Sequence, residues 1–231
     1  TDTLTLGGQM RYTLGGPAYT VNVEKVGPGS LVLTGNNLLE ISSTATVTAG
    51  TLALSGATAN LVDGAITVAS GATLDIINDA TVSNAINLNG GTIANSAGAG
   101  TLQTGAVTLG ANSTLSSAGA AGTGTPGLIV SSVIGDGGNA YGIVKTGAGT
   151  VTLSGANTYA GLTTVSAGTL SAQNATALGT TAAGTTVASG ATLNVTGAAV
   201  GAEALSIAGA GVGGNGALTG ATGASFGGPV T

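Results

Sequence analysis

The sequence predicts an all-β fold, a parallel β-solenoid of about 20 residues per coil, and three observations carry that expectation. Short β-type segments recur at near-constant intervals, each alternates with a period of two, and small or turn-forming residues fill the gaps between them. "VTAGTLALSG" at Val47, "ITVASGATLDI" at Ile66, "INLNGGTI" at Ile86, "VTLGANSTL" at Val107 and "LIVSSVI" at Leu128 begin 19 to 21 residues apart. "LVL" at Leu31, "VTLSGANTY" at Val151, "TVASGATLNV" at Thr186 and "LSIAGAGV" at Leu205 continue the series.

Within a segment, Val, Ile, Leu and Thr alternate with small or polar residues, as in Thr73-Leu74-Asp75-Ile76 and Thr192-Leu193-Asn194-Val195. That is the pattern of a half-buried strand. Gly, Asn, Ser and Ala occupy the gaps, where tight corners need positive φ or tolerate it. A coil of this length cannot bury its apolar edge alone, but stacked coils share one continuous core. At ~4.8 Å per rung, about eleven coils give a rod of ~50–55 Å.

Composition narrows the function. The 231 residues include 3 basic and 8 acidic side chains and no His, Cys or Trp. His-based triads and imidazole or thiolate metal sites are therefore excluded by inventory, and no cofactor is expected. A net charge of −5 leaves no basic patch for phosphate neutralisation, so nucleic acid is not a partner. Gly and Pro make up about a fifth of the chain and mean hydropathy is positive, unlike a disordered sequence. No apolar run approaches the ~18 residues of a membrane helix, and the start "TDTLTLGGQMRY" has no basic region leading into an apolar one. The expectation is that a signal was removed or that this is an internal piece.

A longer repeat overlies the short one. "EKVGPGSLVLTGNN" (residues 24–37) aligns with "VKTGAGTVTLSGAN" (144–157) at an offset of 120, and "VASGATLDI" (68–76) with "VASGATLNV" (187–195) at 119. "GGPAY" (15–19) likewise resembles "GGNAY" (137–141), each shortly before its Lys. The chain divides accordingly into 1–22, the tail of a preceding unit, 23–142, a first long repeat, and 143–231, a second, incomplete one. The expectation is one continuous solenoid cut from a longer array.

The stretch from Lys145 to Leu170 resembles the passenger-associated transport repeat, the autotransporter-associated β-strand repeat of bacterial surface proteins. Lys145, Gly147, Gly149, Val151, Leu153, Gly155, Asn157, Tyr159, Gly161, Thr163, Val165, Gly168 and Leu170 meet its pattern. A second copy keeps Lys25, Gly27, Gly29, Leu31, Leu33, Gly35, Asn37, Gly50 and Leu52, while its middle, "LLEISST", lacks the Tyr and the Gly-Leu-Thr-Thr run. The resemblance implies a right-handed parallel β-helix on the bacterial outer surface or secreted from it, whose repeats assist export and folding. It implies no single activity.

The remaining candidates are each set against a plainer reading. Asp75 and Asp79 form the closest carboxylate pair, but alternation with Leu74 and Ile76 points Asp75 to solvent and Asp79 opens a turn, so catalysis is not expected. "GDGGN" (135–139) has the glycines of a calcium loop but one acid, Asp136, and reads as a tight turn. Lys25 and Lys145 precede G-x-G turns followed by strands rather than helices, which reads as a solvated corner lysine, not a phosphate cradle. Tyr12, Tyr19, Tyr141, Tyr159 and Phe226 are too few for a sugar-stacking platform unless one face gathers them. Thr44, Thr46 and Thr48, or Thr150 and Thr152, would form flat hydroxyl ladders if stacked; such ladders resemble those of ice-binding solenoids, but Thr also keeps a sheet soluble without charge.

The function expected is that of a non-catalytic structural scaffold: a stalk, fibre or surface-layer component, extracellular or on the outer cell surface. Its partners would be neighbouring copies or flanking repeats. An adhesin binding glycans or other cell-surface ligands through one face of the rod is the alternative.

Overall fold

The computed structural model describes residues 2–7, 22–39, 43–62, 64–103, 105–119, 127–197 and 199–231. Tyr12, Tyr19, the 15–19 stretch and the Asn37 side chain lie outside what it describes. Every strand pairing is parallel. The chain is a β-solenoid whose strands form three long sheets, here faces A, B and C.

Among the described residues face A has ten strands, from Thr3–Gly7 through Thr73–Ile77 and Ile143–Thr146 to Leu205–Ile207. Among the same described residues face C has seven, from Ala80–Val82 to Leu218–Gly220, and face B six, from Val23–Lys25 to Ile134–Gly135. In the regular middle of the rod the chain visits A, C and B in turn, as in Thr73–Ile77, Ala80–Val82 and Ile86–Asn89. After Thr150–Leu153 it returns to face A at Thr163–Val165 with no face B strand between. A two-stranded sheet, Ala199–Val200 with Ser225–Phe226, lies near the C-terminal end.

Most successive rungs of face A begin about 20 residues apart, as from Thr51 to Thr73 to Thr92. Two coils are longer: Thr3 pairs with Ser30, and Ser113 with Ile143. The longest sheet has ten strands among the described residues, where the spacing in the sequence suggested about eleven coils.

The alternation in the sequence becomes two kinds of column. Leu52, Leu74, Ile93, Leu115, Val165 and Val187 stack inward on face A, all at least 99% buried, with Lys145 in line between Leu115 and Val165. Each buried aliphatic side chain contributes about 1.5–3 kcal/mol. Outward on the same face, Thr3, Ser30, Thr51, Thr73, Thr92, Thr114, Val144, Thr164, Thr186 and Ser206 align rung over rung, a hydroxyl column broken only at Val144.

Candidate functional site

The residues that carry the resemblance converge on the corners between faces. In Ile143-Val144-Lys145 the strand alternation continues through the lysine, so its side chain enters the core. It is fully buried. The ammonium Nζ donates to the carbonyl oxygens of Thr146 and Gly147 in its own corner and of Ala167 in the next coil, each at 2.8 Å. Three charge-assisted bonds of about 1.5–3 kcal/mol each offset a desolvation cost of several kcal/mol. Burial pulls the ammonium's pKa down from its ordinary value to about 8.

Lys25 repeats this arrangement. It is 8% exposed and donates to the carbonyls of Val26 at 2.9 Å, Gly27 at 2.8 Å and Ala49 at 3.0 Å. Neither lysine is the solvated corner residue that its charge suggested. Each is drawn inward because its own corner turns two carbonyls, and the next coil a third, towards one point, and an ammonium has three donors to meet them.

The glycines permit the approach that these bonds require. Gly168, at φ +65°, lies so close under the preceding corner that a Cβ would strike the carbonyl oxygens of Gly147 and Gly149. Gly50, at φ +69°, stands in the same relation to Gly27, Gly29 and the Lys25 Nζ. Gly147, Gly149, Gly155 and Gly161 are each packed against backbone of the preceding coil, and Gly29 against Asp2. Gly27 and Gly35 have positive φ.

Much of the backbone lattice around the two lysines repeats between the copies. Gly29 O accepts from Thr51 N and Gly149 O from Thr169 N, both at 3.1 Å; Gly50 O accepts from Thr73 N and Gly168 O from Thr192 N, both at 2.9 Å. Yet the copies lie on different edges of the rod. Lys25 ends a face B strand that turns onto face A; Lys145 is next to last in a face A strand that turns onto face C.

Asn157 bridges three coils: its Oδ1 accepts from Ile134 N at 2.8 Å and its Nδ2 donates to Ala177 O at 2.6 Å. Tyr159 is fully buried, its hydroxyl 2.7 Å from Thr163 Oγ1. Burial and the charge of Glu203 hold that phenol above its ordinary pKa, against the Thr163 bond.

The acids are occupied by the fold as well. Asp136 is 3% exposed; Oδ1 accepts from Gly138 N at 2.9 Å and Oδ2 from Ala160 N at 3.0 Å, so "GDGGN" is a turn tied to the next coil. Burial pushes its pKa up, but the N–H groups of Ala160, Gly138, Asp136 and Tyr141 outweigh it and the net shift is downward. Asp75 does not stand in solvent as its alternation suggested. It faces outward but is only 8% exposed, because Ser96 covers it with bonds from N to Oδ1 at 3.0 Å and from Oγ to Oδ2 at 2.5 Å. Asp79 occupies a turn at φ +67°. Glu203, which no sequence pattern singles out, is 3% exposed and accepts from Thr185 Oγ1 at 2.7 Å. Burial raises its pKa, partly offset by that bond.

Among the described residues no three His, Cys, Asp or Glu side chains gather as a metal would require. The described aromatics do not form an outer platform: Tyr159 is interior, and Tyr141 and Phe226 pack against the core. The threonines do stack: Thr46 between Glu24 and Thr67, Thr152 between Ile129 and Ser171, and Thr150 beside Thr169. An open groove of about 350 Å³ on face C is lined by Thr169, Thr192, Asn194, Val212, Gly213, Asn215 and Thr219.

Comparison with known proteins finds a known repeat at these corners. The passenger-associated-transport-repeat model matches residues 23–54 and 143–172, about a quarter of the chain. A 53-residue stretch is 51% identical to the Adhesin BmaC autotransporter of Brucella suis biovar 1 (strain 1330), covering 23% of this chain and 2% of that protein. No solved structure matches. Each matched repeat runs from a lysine corner to the corner one coil later that accepts its third bond, so one repeat encodes two stacked corners.

Proposed function

We propose that this chain, an autotransporter-passenger repeat protein folded as a β-helix, is a non-catalytic scaffold: a segment of a stalk, fibre or surface layer on a secreted or outer-surface protein. The observation that carries this reading is where the buried ionisable groups go. Lys145, Lys25, Asp136, Asp75 and Glu203 are all buried, and each bonds to backbone or hydroxyl groups that hold coil to coil. A chemistry-bearing site keeps such groups poised towards a cleft; here they are consumed by the rod. Flanking repeats or neighbouring copies are the partners that suit open-ended sheets. Small-angle scattering on the purified chain, expected to give a rod profile, combined with cell-binding assays on chain-coated beads, tests this. A compact profile, or strong cell binding by the beads alone, overturns it.

A second reading, adhesion to a neutral glycan, is favoured by the face C groove. Its Thr169, Asn194, Asn215 and Thr219 side chains offer uncharged donors and acceptors, as a polyol needs, and the partial relative is named an adhesin. A glycan array probed with the chain, and with Asn194→Ala and Asn215→Ala, distinguishes the two. Binding that both substitutions abolish supports adhesion; an empty array supports the scaffold.

A further inference from the structure

The coils are nearly interchangeable in sequence. "VASGATL" occurs at both 68–74 and 187–193, and "VTAGTL" (47–52) and "VSAGTL" (165–170) differ from it by little. A solenoid built of such coils faces a register problem, because a coil stacked one place too far still matches hydrophobic columns. The corners, however, are not interchangeable. In both copies the corner directly after the lysine is V-x-A-G-T-L, with its Ala carbonyl accepting the ammonium. The corner one coil further is V-A-S-G-A-T-L, one residue longer, with a fully buried alanine, Ala72 or Ala191, inside the turn.

The glycines report the same distinction. A Cβ on Gly50 or Gly168 would collide with the lysine corner, whereas one on Gly71 or Gly190 would meet nothing within 4 Å. The short corner seats against the lysine and the long one stands clear.

We infer that the buried lysine of each repeat is a register key: it admits the short A-G-T corner of the next coil and rejects the longer S-G-A-T corner. A slip of one coil over Lys145 would replace the Ala167 carbonyl with a turn whose inner side holds the Ala191 methyl. The ammonium would then be buried with an acceptor missing, a state that costs far more than an ill-matched apolar contact. An aliphatic side chain at the same place would pack in either register. The lysine thus selects between stackings rather than simply adding stability, and the one-face rotation between the copies shows that the key belongs to the corner and not to a particular sheet.

The absence of Cys makes the test direct. Val144 and Thr164 are outward neighbours in the native register, and Thr164 pairs in turn with Thr186. Neighbouring rungs lie within disulfide range and next-nearest rungs at ~9.6 Å do not. The full chain bearing Val144→Cys and Thr164→Cys, or Val144→Cys and Thr186→Cys, is unfolded in denaturant, refolded, oxidised and mapped by mass spectrometry. With Lys145 present, the 144–164 disulfide forms and the 144–186 disulfide stays at background. With Lys145→Met the chain still refolds to β structure, but the 144–186 product rises by about tenfold or more. Refolding of Lys145→Met with an unchanged cross-link pattern overturns the inference. So does failure to refold with no slipped product, which would make the lysine a source of stability and not of selection. Lys25→Met, read through Glu24→Cys paired with Thr46→Cys or Thr67→Cys on face B, repeats the test on the other copy.

Discussion

The corners at Val165–Leu170 and Val187–Leu193 lie one above the other on the same edge of the rod, and the second is longer by one residue, the buried Ala191. Both turn on a glycine of positive φ, Gly168 at +65° and Gly190 at +82°. In the first, glycine is required twice: by its backbone angle and by the Gly147 and Gly149 carbonyls against which it lies. In the second, only the angle requires it. Two glycines that look alike in sequence therefore carry different loads, and the difference comes from the coil beneath.

The largest expected effect breaks that comparison at its tightest point. Gly168→Ala should cost about 3 kcal/mol, through a collision as well as strain, against about 1 kcal/mol for Gly190→Ala, which carries strain alone. Urea unfolding of the two variants checks this, and equal losses would show that the lysine corner exerts no steric demand. Next, Asn157→Ala removes the partner of a buried N–H, Ile134, and of a buried carbonyl, Ala177, and should cost about 2–3 kcal/mol by the same measurement. Lys145→Ala, which leaves three carbonyls without their donor and a void in the column, should cost about 3 kcal/mol; Lys145→Met, which fills the void, should cost less than half of that.

A pH titration sharpens the comparison further. Because burial lowers the folded pKa of Lys145 to about 8, the unfolded chain binds more protons between about 8 and its ordinary value of 10.5. Stability from this group is therefore flat below about pH 8 and rises through that window, and Lys145→Met should remove the rise. Urea midpoints from pH 7 to 10.5 test the slope. The smallest effect concerns Glu203, whose raised pKa means that the folded state holds the proton more tightly than the unfolded one. Its contribution is present at low pH and is lost as pH rises through the folded pKa. Glu203→Gln should thus be slightly more stable than the parent at pH 7 and no more stable at pH 4, measured by thermal melts.

Much of this architecture is legible residue by residue. Alternation in Thr73-Leu74-Asp75-Ile76 gives the correct phase: Leu74 and Ile76 face the core and Asp75 faces out. The same alternation in Ile143-Val144-Lys145 already points the lysine inward, although its place just before a G-x-G turn reads as a solvated corner. Exposure is the property that alternation leaves open. Asp75 is covered by Ser96, 21 residues later, and Lys145 is satisfied by Ala167, 22 residues later. Glu203 has no sequence signal because its partner, Thr185, lies 18 residues earlier in the chain.

The sequence by itself determined the strand, the corner and the approximate coil length, because period-two alternation and positive-φ glycines act within a few residues. Only the tertiary structure decided which face each repeat occupies and which polar groups are sealed inside. The face depends on the summed length of every coil between Lys25 and Lys145, including the long passage from Ser113 to Ile143. The sealing depends on backbone groups one full coil away, and these come within bonding distance only when the stack has closed.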